Sequence, residues 1–228
     1  MQPKPRLLSI LDAVSLILFV IAVGMVFFYA PTEVVMGNVQ RVFYFHVATA
    51  WVGMLGFMSA GIGGIAYLRN AKRKWDTFSL TAVEISLVFF FITIILGSIW
   101  ARPVWNTWWT WDPRLTTAAI VELVYAAYML LRQGIDDPDR RARFGAVYTI
   151  LGFISVPLTF ISIRLLRTIH PVVIGEGDEK MGMTPPMIQT MIFSVIVFSV
   201  IFIDLFWRRL RLGYLAEKVE QLRLKHAN

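Results

Sequence analysis

Residues 78–100 read FSLTAVEISLVFFFITIILGSIW, a continuous apolar run in which Glu84 is the single charge. At about 1.5 Å per residue such a run crosses the hydrocarbon core of a bilayer, and a helix is the form that satisfies its own backbone there. Working outward from it, five more runs of similar character appear, at roughly 7–29, 42–68, 115–131, 144–166 and 187–207. Composition agrees: 57% of residues are hydrophobic and 16% charged, with a mean hydropathy of +0.64. Soluble domains lie nearer half apolar and about a quarter charged. The sequence therefore predicts an all-α membrane protein of six transmembrane helices with short loops, one integral membrane unit over residues 1–228.

The basic start at Lys4 and Arg6 resembles that of a secretory signal. The apolar run after it is too long for one, and Phe28, Tyr29 and Ala30 make a poor cleavage site, so the first span reads as retained. Sixteen of the 22 Lys and Arg fall at the N-terminus, in the 69–77 and 132–143 loops and in the tail after 207. That excess predicts both termini in the cytoplasm. The same bias explains the net charge of +7 without a nucleic-acid partner; the bilayer is the implied one. Gly56, Ala60 and Gly64, with Ser59 and Gly63 beside them, give the second span a small-residue row suited to close helix packing. Pro157 should kink the fifth span or open a gap in it. In the tail, 208–228, Leu212, Leu215, Val219 and Leu222 among basic residues suit a short amphipathic helix on lipid or on a partner. Cysteine is absent, which excludes disulfide and thiolate chemistry, and there is no GxxxxGK[ST] loop for ATP hydrolysis.

Three features follow odd-numbered spans and so face one compartment, whichever way the chain inserts. His46 lies in the first turns of span two, a tryptophan-rich segment follows span three, and His170 follows span five. Between Trp100 and Asp112 stand Trp100, Trp105, Trp108, Trp109 and Trp111, five of the eight tryptophans. An interfacial belt spends one or two per helix end, whereas five in one loop predict a broad, flat apolar platform suited to a planar macrocycle. Spacings of three and four would group them on the faces of a helical turn. Asp112 before Pro113 reads as the N-cap of span four. Imidazole is a common haem ligand, and two from separate loops could approach iron from opposite faces, although the pair alone leaves ordinary interfacial histidines open. Among Arg41, Arg102, Arg114, Arg164 and Arg167, Arg41 and Arg114 stand best placed to pair with haem propionates. Glu84 and Glu122 lie within spans, and each is satisfiable by a neighbouring helix; neither is given a role.

The stretch 100–117, WARPVWNTWWTWDPRLTT, resembles the WWD signature of the haem-handling proteins, and within them the family of cytochrome c maturation protein C, the haem exporter protein C family. The resemblance extends over nearly the whole chain, through length, span number and the two histidines flanking the WWD loop. One departure is Ala101, where the family pattern has glycine. The resemblance implies a multi-pass protein of the bacterial inner membrane with its working face in the periplasm. It implies haem b held by His46 and His170 as axial ligands, with Trp100 to Asp112 facing the haem. The implied partners are a membrane-tethered periplasmic haem chaperone and the ATPase and membrane subunits of an ABC-type complex. On this reading the chain is a haem-binding and transfer protein and not an enzyme. A permease that moves haem or another small molecule across the bilayer is the alternative, for which Glu84, Glu122 and Pro157 are the suggestive residues.

Overall fold

A computed structural model describes residues 4–171 and 183–227. Among these residues six helices are long and apolar enough to cross a membrane: α1 (Arg6–Gly24, prolonged by a wider turn over Met25–Tyr29), α2 (Gln40–Asn70), α3 (Arg73–Trp105), α4 (Pro113–Gln133), α5 (Pro138–Leu165) and α6 (Pro185–Ala227). Each expected span is present, and several run further than their apolar core. Hydropathy marks where a helix must be dry, whereas its ends lie where a cap stops the hydrogen-bond ladder. Asp112 and Asp137 cap α4 and α5 through side-chain oxygens, each followed by proline at the first helical position, where a missing N–H costs nothing. Ala71 and Asn106, with φ of 51° and 55°, turn left-handed and end α2 and α3.

α2 is the central helix, packed on α3, α5 and α6, while α4 lies on α5 and α1 lies on α6. The small-residue row works as expected, but it serves more than one neighbour. A Cβ on Gly56 would strike Ser86 of α3 and Phe202 of α6, and one on Gly64 would sit 2.7 Å from the Ala146 carbonyl of α5. Ser79 donates to the Ala60 carbonyl at 2.9 Å. Tyr125 donates to the Phe57 carbonyl at 3.1 Å, and the two rings stack at 3.9 Å, tying α4 to α2. α5 stays helical through Pro157.

At one end of the bundle, charge is paired. Arg132 grips Asp76 through both nitrogens, at 2.5 and 3.0 Å. Arg209 donates to Glu84 at 2.8 Å, which gives that intramembrane acid a structural partner on α6. The tail is not a separate element: α6 runs unbroken to Ala227. Its 43 residues span roughly 65 Å, about twice a hydrocarbon core, so its last turns project beyond the bilayer.

Candidate functional site

At the other end, the top of α2, the end of α3, the start of α4, the end of α5 and the start of α6 enclose a cavity of about 640 Å³. That size falls in the range that holds a cofactor-sized ligand. Both His46 and His170 line it, with Trp100, Trp105, Trp108 and Trp109 from the tryptophan segment and Arg114 and Arg164 among the walls.

His46 sits between α2 and α3, and its Nδ1 lies 3.0 Å from the Thr93 carbonyl. Gly97, one turn further along α3, makes room for the ring: a Cβ there would stand 2.8 Å from Cε1 and 3.1 Å from Nδ1 of His46. His170, on the loop after α5, holds Nδ1 at 3.0 Å from the Pro171 carbonyl. A carbonyl can only accept, so Nδ1 carries a proton in both rings, and the neutral form of each keeps its lone pair on Nε2. Burial pushes His170 down to about 4, with Arg114 and His46 adding to the shift. The imidazole is therefore neutral, and competent as a ligand, through the physiological range.

The tryptophan segment is not the flat platform that its composition suggested. α3 ends at Trp105, Asn106 reverses the chain, and the following residues are bent or extended, so helical spacing stops applying. Arg102 fastens this turn through the Asn106 carbonyl at 2.7 Å. Within α3, Trp100 and Trp105 meet edge to face at 5.4 Å and 89°, and beyond the turn Trp109 and Trp111 do so at 5.7 Å and 80°, the arrangement favoured by ring quadrupoles. Trp105 also meets the His170 ring at 6.4 Å. The indoles are walls of a slot. Trp111, 77% exposed, stands outside the lining.

Asp112 does more than the N-cap its position predicted. Its Oδ1 accepts from the Leu115 N–H at 2.9 Å, the cap itself. Its Oδ2 accepts from the Thr168 hydroxyl and, at 3.1 Å, from the Ile169 N–H, while the His170 N–H donates to Thr168 Oγ1 at 3.1 Å. One carboxylate thus holds the start of α4 and the loop that carries His170. Arg114 reaches the wall, donating to the Thr159 carbonyl and lying 5.1 Å over the Phe160 ring. Arg41 is not among the lining residues. Its guanidinium donates to the Val26 and Phe27 carbonyls at 2.5 and 2.6 Å, oxygens freed by the wide turn at the end of α1.

Sequence reading missed Gly97, Thr93, Thr168 and Trp51. No pattern within one helix pairs position 46 with 97. Trp51 also lines the cavity, but it follows His46 by five residues, a spacing that does not by itself put two side chains on one face of a helix.

The fold and site together define a six-span membrane protein with an apolar, tryptophan-walled cavity that presents two imidazoles. The family model for heme exporter protein C matches residues 1–225. Heme exporter protein C of Bradyrhizobium diazoefficiens is 31% identical over 204 residues, 87% of this chain and 76% of the relative. That of Rhodobacter capsulatus is 26% identical over 223 residues, covering 97% and 92%, and that of Escherichia coli (strain K12) is 28% identical over 194, covering 84% and 78%. The chain belongs to the heme exporter protein C family.

Proposed function

We propose that this protein binds haem b in the cavity between His46 and His170 and passes it on for cytochrome c maturation. The observation that carries this reading is the matched state of the two rings. Each has its Nδ1–H committed to a backbone carbonyl, the arrangement that orients an imidazole and leaves Nε2 as a metal ligand. The walls suit the rest of such a cargo. Trp100, Trp105 and Phe160 offer aromatic surface to a macrocycle, and Arg114 and Arg164 stand as cations for carboxylates.

The His46, tryptophan and His170 end faces the periplasm on this reading, with both termini in the cytoplasm of a bacterial inner membrane, as the lysine and arginine bias predicts. The receiving partner is a membrane-tethered periplasmic haem chaperone, and the chain works beside the ATPase and membrane subunits of an ABC-type complex. It acts as a binding and transfer protein and not as an enzyme. Of the three residues suggestive of a permease, Glu84 is paired with Arg209 on α6.

The test is the visible spectrum of the purified protein, oxidised and reduced, beside His46→Ala and His170→Ala. A six-coordinate bis-imidazole Soret band in the wild type, lost or shifted in each variant, is expected. Unchanged haem retention in both variants would remove the ligand assignment.

A further inference from the structure

The cavity has walls on helices that do not meet. Phe160 and Ile163 of α5 and Ile192 and Ile196 of α6 all line it, yet among the described residues neither α4 nor α5 approaches α6. Both α5 and α6 pack instead on α2, so α2 forms the floor of a cleft between them. Its side chains there agree. Trp51, a lining residue, continues down α2 into Leu55 and Ile62 at spacings of four and seven, and all three are exposed, although α2 is otherwise the most buried span. α6 repeats the pattern. The lining residues Ile192 and Ile196 stand on the same stripe as Ile203, which lies beyond the cavity, and each of the three is more than half exposed. A stripe that runs from a cavity wall on to the outer face of a spanning helix is open to lipid.

Resting on the haem reading above, we infer that the cavity is loaded sideways: the cargo reaches His46 from within the bilayer, through the cleft between α5 and α6 over Trp51. The polarity of the cleft suits an amphiphile travelling that way. Its sides, Trp51, Ile163, Ile192 and Ile196, are apolar, and the cationic residues of the cavity, Arg114 and Arg164, stand at the first turn of α4 and the last turn of α5, at headgroup depth. A macrocycle can slide its apolar edge between the helices while its carboxylates stay at the interface. In water the same surfaces would have to be wetted and dried again on each loading.

Because the chain has no cysteine, Leu55→Cys or Ile203→Cys gives a single thiol on the exposed stripes of the cleft, outside the cavity lining, in the folded, full-length protein. Each variant is reconstituted in lipid nanodiscs, labelled or not with a bulky apolar maleimide, and given haem dissolved in the bilayer. The rate at which the bis-imidazole band appears is the readout. Labelling at 55 or 203 is expected to slow loading several-fold while the final spectrum matches the unlabelled protein. Labelling Ile17→Cys, on the exposed face of α1, is expected to leave the rate unchanged. Equal rates with and without label at both cleft positions would overturn lateral loading alone. A wild-type protein that never develops the band would overturn the haem reading, and this inference with it.

Discussion

At the scale of single residues, the site depends on two groups that position the imidazoles. Gly97 leaves the gap that the His46 imidazole fills. Gly97→Ala should displace the ring by overpacking, an effect of about 1–3 kcal/mol, and weaken haem binding accordingly while the helical fold is kept. Titration of the purified variant with haem checks it, and wild-type affinity would mean that the ring can shift freely. Asp112 serves two elements with two oxygens. Asparagine has one acceptor oxygen, so Asp112→Asn can cap α4 or hold Thr168 and Ile169, but not both. The expected result is a fall in thermal stability of no more than about 1–2 kcal/mol with a disturbed His170 ligand signal. Thr168→Val should reproduce the disturbed signal without touching the cap. A bis-imidazole spectrum unchanged in both variants would show that the loop is held by other means.

At the scale of elements, helix contacts replace the loops' lack of mass. α5 bears the His170 loop, and its approach to α2 depends on Gly64, where a Cβ would meet the Ala146 carbonyl at 2.7 Å. Gly64→Val should force the helices apart. Lower thermal stability in detergent, together with lost haem binding although no cavity residue is altered, is the expected pair of results. At the opposite end, Arg132 and Asp76 are nearly inaccessible, with side chains 9% and 12% exposed. Breaking such a pair from one side leaves a buried charge and costs about 3–5 kcal/mol. Asp76→Asn should therefore lower the melting temperature strongly, whereas replacing both partners by apolar residues should recover much of the loss.

At the scale of the whole molecule, the division of labour between the two ends has a direct check. Paired charges gather where α2 meets α3 and α4 meets α5, and the cavity lies at the far end. Single cysteines at Thr107 and at Asp136, in an otherwise cysteine-free chain, should react with a membrane-impermeant maleimide from opposite sides. Thr107 should label in intact spheroplasts and Asp136 only after the membrane is opened. The reverse result would invert the orientation and with it the periplasmic placing of the site.

The sequence by itself determined the six spans, since apolar length is a local property and the bilayer imposes it. It also determined that His46, the tryptophans and His170 share an end, because alternating spans carry that information without any packing. The N-cap at Asp112 was legible for the same reason, being a matter of adjacent residues. Tertiary structure alone decided the shape of the site. Trp108, Trp109 and Trp111 leave the helical register because Asn106 ends α3 after Trp105, and beyond it Trp109 crosses Trp111 edge to face; a turn in the left-handed region is not announced by tryptophan spacing. Arg41 is occupied by carbonyls of the wide turn at Met25–Tyr29, a contact between α2 and α1 that neither segment encodes separately. Gly97 gained its meaning only when α3 came to rest against His46. The cleft beside the cavity exists because α5 and α6 each pack on α2 and not on each other, an outcome of pairwise helix packing that no single run of residues contains.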